Sequence, residues 1–178
     1  MWLTWANLLT LVRVLLVLPT AFAIGSAQWS LAAACFGLAV LSDLLDGPLA
    51  RALGHDTALG GLLDHATDAL YVTVTLAALG AAGRVPLVLP VLVIAAFIQY
   101  TLDSRALAGE HLRTSWLGRC NGIAYFVLVG AAVLPGGMGL HWPGADSVRA
   151  FAWLLVATTG ISMADRLRHL FLLRKAAE

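Results

Sequence analysis

Four of the ten acidic residues fall in two short apolar segments of this chain: Asp43, Asp46, Asp64 and Asp68. The first pair sits in Ser42-Asp43-Leu44-Leu45-Asp46-Gly47-Pro48-Leu49-Ala50-Arg51, the second in Gly60-Gly61-Leu62-Leu63-Asp64-His65-Ala66-Thr67-Asp68. On a helix, residues three or four apart share a face. Asp43 and Asp46 therefore stack on one helix, Asp64 and Asp68 on the next. A turn near Gly54 to Ala58 brings the two helices back antiparallel, so the acidic faces can meet. Carboxylates set among leucines are costly, about +2.5 to +3.5 kcal/mol each at the centre of a membrane span, and they repel one another. Arg51 is one positive charge against four negative ones, and divalent cations are the economical counter-charge. Oxygen ligands without cysteine select hard ions, Mg²⁺ or Mn²⁺. Four carboxylates suffice for two ions about 3.5–4 Å apart, the arrangement that serves phosphoryl chemistry.

The elements that must carry these acids are apolar helices. Hydrophobic residues make up 60% of the 178 and charged residues 12%, with a mean hydropathy of +0.86. A soluble domain is about 45–50% apolar and about 25% charged, so the composition predicts an all-α integral membrane protein. Six runs approach the roughly 20 apolar residues that a span needs: 8–25, 28–50, 59–82, 85–103, 116–135 and 148–172. Gly25-Ser26, Gly83-Arg84 and Pro135-Gly136-Gly137 punctuate them, and Gly136 to Asp146 is expected as a loop. The first run is read as a span rather than a secretion signal, because Arg13 interrupts it and further runs follow. The whole chain, 1–178, is expected to form one membrane domain.

Basic residues near span ends set orientation. Arg51, Arg105, Arg113, Arg119, Arg166, Arg168, Arg174 and Lys175 fall on the side of the termini, with Arg13 if it faces that way; Arg84 and Arg149 fall opposite. This bias places both termini and the metal-binding polar cleft at the cytoplasmic face of a cell (inner) membrane. The net charge of +1 gives no field for nucleic acid. Cys35 and Cys120 form no metal-binding or disulfide pattern and read as small buried hydrophobes.

Several residues admit two readings. Gly47 and Ala50 keep one strip of the second span small, and Gly60 the face of the third span that carries Asp64, either for close approach of a ligand or for helix packing. Arg13, inside an apolar run, is either functional or snorkels to the interface. Arg113, Arg119 and Asn121, where a loop enters the fifth span, either clamp a phosphorylated substrate or carry only the orientation signal. His65 is either a packing histidine or a member of the site. Arg166, Arg168, Arg174 and Lys175 read as a lipid-headgroup anchor.

The pattern Asp43-x-x-Asp46-Gly47-x-x-Ala50-Arg51, eight residues, Gly60-x-x-x-Asp64-x-x-x-Asp68 resembles the signature of the CDP-alcohol phosphotransferases, with all eight fixed positions matched. The six-span layout and the segment Asn7-Leu8-Leu9-Thr10-Leu11-Val12-Arg13 are similar to that family too. The resemblance implies a phospholipid-synthesising transferase of substituted phosphate groups. Such an enzyme moves a phosphatidyl group from CDP-diacylglycerol to the hydroxyl of a small alcohol or alcohol phosphate and releases CMP. It further implies that Asp43, Asp46, Asp64 and Asp68 hold two Mg²⁺ or Mn²⁺ ions, and that Asp68 is the general base. Gly47, Ala50, Arg51 and Gly60 would line the CDP site, and the protein would be a homodimer in contact with membrane lipid.

His65 and Ala69 stand where the phosphatidylglycerophosphate and cardiolipin synthase branches often carry Pro and Lys. Asp64-His65 is more similar to the aminoalcohol branch, whose members act on a lipid alcohol. Outside the family, a cation transporter could use the same acids, but transporter sites lie at the midplane on broken helices within repeats. Here the acids cluster at one face and no repeat is visible.

Overall fold

In a computed structural model, the structure describes residues 5–52, 58–103 and 116–177, and side chains within 10–45, 60–102 and 116–168. Six helices follow one another: α1 (Trp5–Gly25), α2 (Trp29–Ala52), α3 (Ala58–Ala81), α4 (Val88–Asp103), α5 (Trp116–Met138) and α6 (Ala145–Ala177). The described residues contain no strand. The short connections after α1, α3 and α5 gather at one end of the bundle. There the Arg84 guanidinium lies 3.9 Å from the centre of the Trp29 ring, and Arg149 donates to the Gly83 carbonyl at 3.2 Å. The acidic residues lie at the other end.

Helix α3 is the hub, packed against α1, α4 and α5; α2 bridges α1 to α5, and α6 closes on α4 and α5. The core is apolar, with Tyr71, Leu76, Leu79, Leu89, Leu128, Val129 and Val133 fully buried. Hydroxyl pairs tie helices together inside it. Thr20 Oγ1 and Tyr71 Oη lie 3.1 Å apart between α1 and α3, and Tyr125 Oη and Thr159 Oγ1 lie 2.7 Å apart between α5 and α6. A buried hydroxyl without a partner is costly, so each pair fixes the register of two helices.

The helices start and stop near the expected places, with three differences. Helix α4 begins at Val88 rather than 85, because Val85 and Pro86 lie in the preceding turn. Helix α6 runs from Ala145 to Ala177, beyond both expected ends. Helix α5 passes straight through Pro135, Gly136 and Gly137 to Met138, and the break comes at Gly139, with φ of 68°. The two glycines serve close packing instead of a turn. A Cβ on Gly136 would sit 2.9 Å from the Trp29 ring, and one on Gly137 would collide with the Ala33 Cβ and sit 2.8 Å from the Trp29 carbonyl oxygen.

Among the described residues, Trp116–Met138 and Ala145–Arg168 are long and apolar enough to cross a membrane, and Thr10–Gly25, Trp29–Leu45 and Val88–Leu102 are shorter apolar helices. The outer faces are apolar as well. Leu15, Leu18 and Phe22 on α1, Val91 and Leu102 on α4, and Leu154 and Ile161 on α6 are all more than half exposed. Exposed apolar faces of this kind mark a lipid or protein contact surface.

Candidate active site

Asp43, Asp64 and Asp68 converge, and the residue on which they converge comes from α1. Arg13 is completely buried, and its guanidinium reaches carboxylates on two other helices. Its Nη2 lies 2.8 Å from Asp43 Oδ1 on α2. Its Nη1 donates to Asp64 Oδ1 on α3 at 2.9 Å and also to Asp68 Oδ1. The i, i+4 spacing of Asp64 and Asp68 places both on one face of α3, which is why a single nitrogen can serve both. A lone buried arginine would be very costly, and among the described residues three carboxylates around it supply pairing that makes its burial tolerable. Of the two readings open for Arg13, snorkelling to the interface is therefore not the one found.

Asp64, His65 and Asp68 offer ligand atoms that all lie within 4.8 Å of one another. Asp43 joins them through the shared contact with Arg13. An oxygen-rich set with one imidazole suits a hard divalent cation, so the donor chemistry fits the expected ions. Asp46, Gly47, Ala50 and Arg51 lie on the described backbone of α2, but their side chains fall outside the described residues. Gly60 lies in the first turn of α3, one turn before Asp64.

Beside the acids a cavity of about 570 Å³ opens between α3, α4, α5 and α6. That volume lies within the usual range of small-molecule sites. Asp43, His65 and Asp68 line it on the acidic side, and Arg119, Asn121 and Arg166 on the side of α5 and α6. His65, Arg119 and Asn121, expected at the acceptor, are thus brought to one cavity. Arg113, expected with them, lies outside the described residues.

Three lining residues were not expected there. Arg166, taken from the sequence as a headgroup anchor, faces inward instead, with its guanidinium 5.0 Å from the centre of the Tyr100 ring. Tyr100 also meets His65 edge to face at 6.2 Å. Gln99 donates to the Met163 carbonyl at 3.1 Å, tying α4 to α6 at the cavity wall. The signal for Gln99 and Tyr100 was present in the sequence as two polar groups at the end of the apolar run Val88 to Ile98. Arg166 was masked by the other basic residues of its helix.

A family model described as CDP-alcohol phosphatidyltransferase matches residues 3–163. A Mycobacterium tuberculosis (strain H37Rv) protein named phosphatidylglycerophosphate synthase is 31% identical over 168 residues, covering 90% of this chain and 80% of the relative. A Mycobacterium bovis protein named cardiolipin synthase is 36% identical over 87 residues, 47% of this chain and 41% of that protein. No solved structure matches. With the acids gathered on α2 and α3 and a family match spanning almost the full length, the chain belongs to the CDP-alcohol phosphatidyltransferase family.

Proposed function

We propose that this chain transfers a phosphatidyl group from CDP-diacylglycerol to the hydroxyl of a phosphorylated polyol, releasing CMP, from a site open to the cytoplasmic face of the inner membrane. The observation that carries the proposal is the cavity that joins Asp43 and Asp68 on one wall to Arg119 and Arg166 on the other. An anionic acceptor entering there meets two guanidinium groups, whose planar forks suit phosphate oxygens. A neutral alcohol needs neither. The names of the relatives support phospholipid synthesis, and the apolar outer faces support six spans in lipid.

Asp43, Asp46, Asp64 and Asp68 would hold two divalent ions. Such ions, when bound, neutralise the pyrophosphate of the donor and stabilise the departing CMP. The protein's own groups do the rest. By the family signature, Gly47, Ala50 and Gly60 would line the donor site, and Arg51 would pair with a donor phosphate. Arg119 and Arg166 hold the acceptor phosphate, which fixes its hydroxyl near Asp68. The Asp68 carboxylate then accepts the hydroxyl proton as the oxygen attacks phosphorus.

The test is a thin-layer assay of purified protein with labelled CDP-diacylglycerol and Mg²⁺. Glycerol phosphate, inositol phosphate and their dephosphorylated counterparts serve as acceptors, and lipid product and CMP are followed together. Product from a phosphorylated polyol is expected, and EDTA should abolish it until Mg²⁺ or Mn²⁺ is restored. Product from neutral alcohols alone would overturn the acceptor assignment, and full turnover in excess EDTA would overturn the metal site.

A further inference from the structure

We infer that Arg13 is a positioning residue of the metal site: one fork-shaped cation from α1 sets the spacing of the carboxylates that α2 and α3 contribute. Three observations carry this. First, the guanidinium contacts Asp43, Asp64 and Asp68 together, so it couples both helices that bear acids. Second, it approaches from the closed side. The Arg13 side chain has no exposure, whereas those of Asp43, Asp64 and Asp68 keep 36, 34 and 23% of theirs, and Asp43 and Asp68 face the cavity. Third, all three contacts run through Oδ1, and each carboxylate has a second oxygen with which to meet an ion. Arg13 therefore forms the floor of the site and the ion enters from the cavity. Carboxylates that bind metals are themselves oriented by outer contacts; here one side chain supplies them, through hydrogen bonds to Asp64 and Asp68 on α3 and an ion pair with Asp43 on α2.

A purely structural ion pair and a cation that competes with the metal are the rival roles, and each predicts a different response. Arg13→Lys keeps the charge but replaces a planar fork with one ammonium nitrogen, so the long-range Coulomb effect on a bound ion stays nearly constant. Arg13→Gln removes the charge, and Coulomb attraction alone would then tighten cation binding. Free Mn²⁺ measured by electron paramagnetic resonance, on the full chain in detergent without substrates, gives the affinity. Thermal midpoints without metal are recorded in parallel.

Loss of a group that orients metal ligands weakens binding about 10–100-fold, and that is expected for Arg13→Lys. Weaker binding is expected for Arg13→Gln as well. Wild-type affinity in a folded Arg13→Lys variant would overturn the inference, and so would tighter binding in Arg13→Gln. Should neither variant fold, an Arg51→Lys chain labelled with ¹⁵N-arginine decides, since Arg51 is the other arginine expected beside the ions. An arginine ¹⁵N coupling to bound Mn²⁺, at the distance of a nitrogen one carboxylate away, is expected; its absence overturns the inference. The inference rests on the proposed metal site. Failure of the wild type to bind Mn²⁺ would overturn that reading, whereas wild-type binding unaffected by Arg13→Lys would overturn the role of Arg13 alone.

Discussion

Asp43 and Asp68 touch the same guanidinium and line the same cavity, yet different losses are expected from their removal. Asp68 is the last acid on the α3 face. Asp68→Asn preserves shape and removes the proposed proton acceptor, a role that general-base catalysis values at about 10²–10⁴-fold. Turnover should fall by that order while CDP-donor binding persists, because neighbouring oxygens still hold the ions. Asp43→Asn should weaken metal and donor binding as well. Donor titrations of the two variants check this, and equal loss of binding in both would leave Asp68 as a metal ligand only. Arg166, half-buried over Tyr100, is expected to act on the acceptor. Arg166→Ala should raise acceptor KM by roughly ten- to a hundred-fold, the loss of a hydrogen bond to a charged group at about 1.5–3 kcal/mol. Donor KM should change little. Steady-state kinetics with each substrate varied in turn would expose an unchanged acceptor KM, which would remove Arg166 from the site.

At the scale of elements, the site depends on α2 being held firmly at its far end, so that its acids arrive opposite those of α3. The tight contact of α5 with the start of α2 supplies this hold. Gly137 allows it, since a side chain there would meet Ala33 and the Trp29 backbone. Gly137→Ala is expected to destabilise the fold by about 1–3 kcal/mol, the cost of overpacking. On α6, by contrast, a Cβ added to Gly160 would meet nothing within 4 Å. Gly160→Ala should leave stability unchanged or raise it by up to about 1 kcal/mol through helix propensity. Thermal unfolding in detergent separates the two, and equal midpoints would mean that the α2–α5 contact does not limit stability.

For the whole molecule, the two ends of the bundle differ in charge and chemistry. Arg84 and Arg149 lie at one end, and the acids, Arg119 and Arg166 at the other. The positive-inside bias supports the proposed orientation, with the second end toward the cytoplasm. In a variant with Cys35 and Cys120 replaced, a cysteine at position 141 should react with an impermeant thiol reagent added to intact cells. One at position 56, between α2 and α3, should react only after the membrane is broken. The reverse pattern would invert the assigned orientation.

The sequence by itself determined the number of helices and most of their ends, because apolar runs of span length and their Gly and Pro interruptions are local signals. It also determined which acids share a face, since Asp64 and Asp68, four apart, are neighbours on any helix. It misjudged Gly136 and Gly137, because glycine marks a turn and a close helix contact alike, and only the position of Trp29 and Ala33 distinguishes them. It left Arg13 open for a related reason. Thirty residues of chain separate Arg13 from Asp43, and no periodicity says which face of α1 meets which face of α3. Arg166 was hidden in the same way, as one basic residue among several until α4 brought Tyr100 beneath it. Helix identity is written in neighbouring residues, but the partner of a buried charge is decided by how the helices rotate against one another. That rotation is set by packing over the whole bundle.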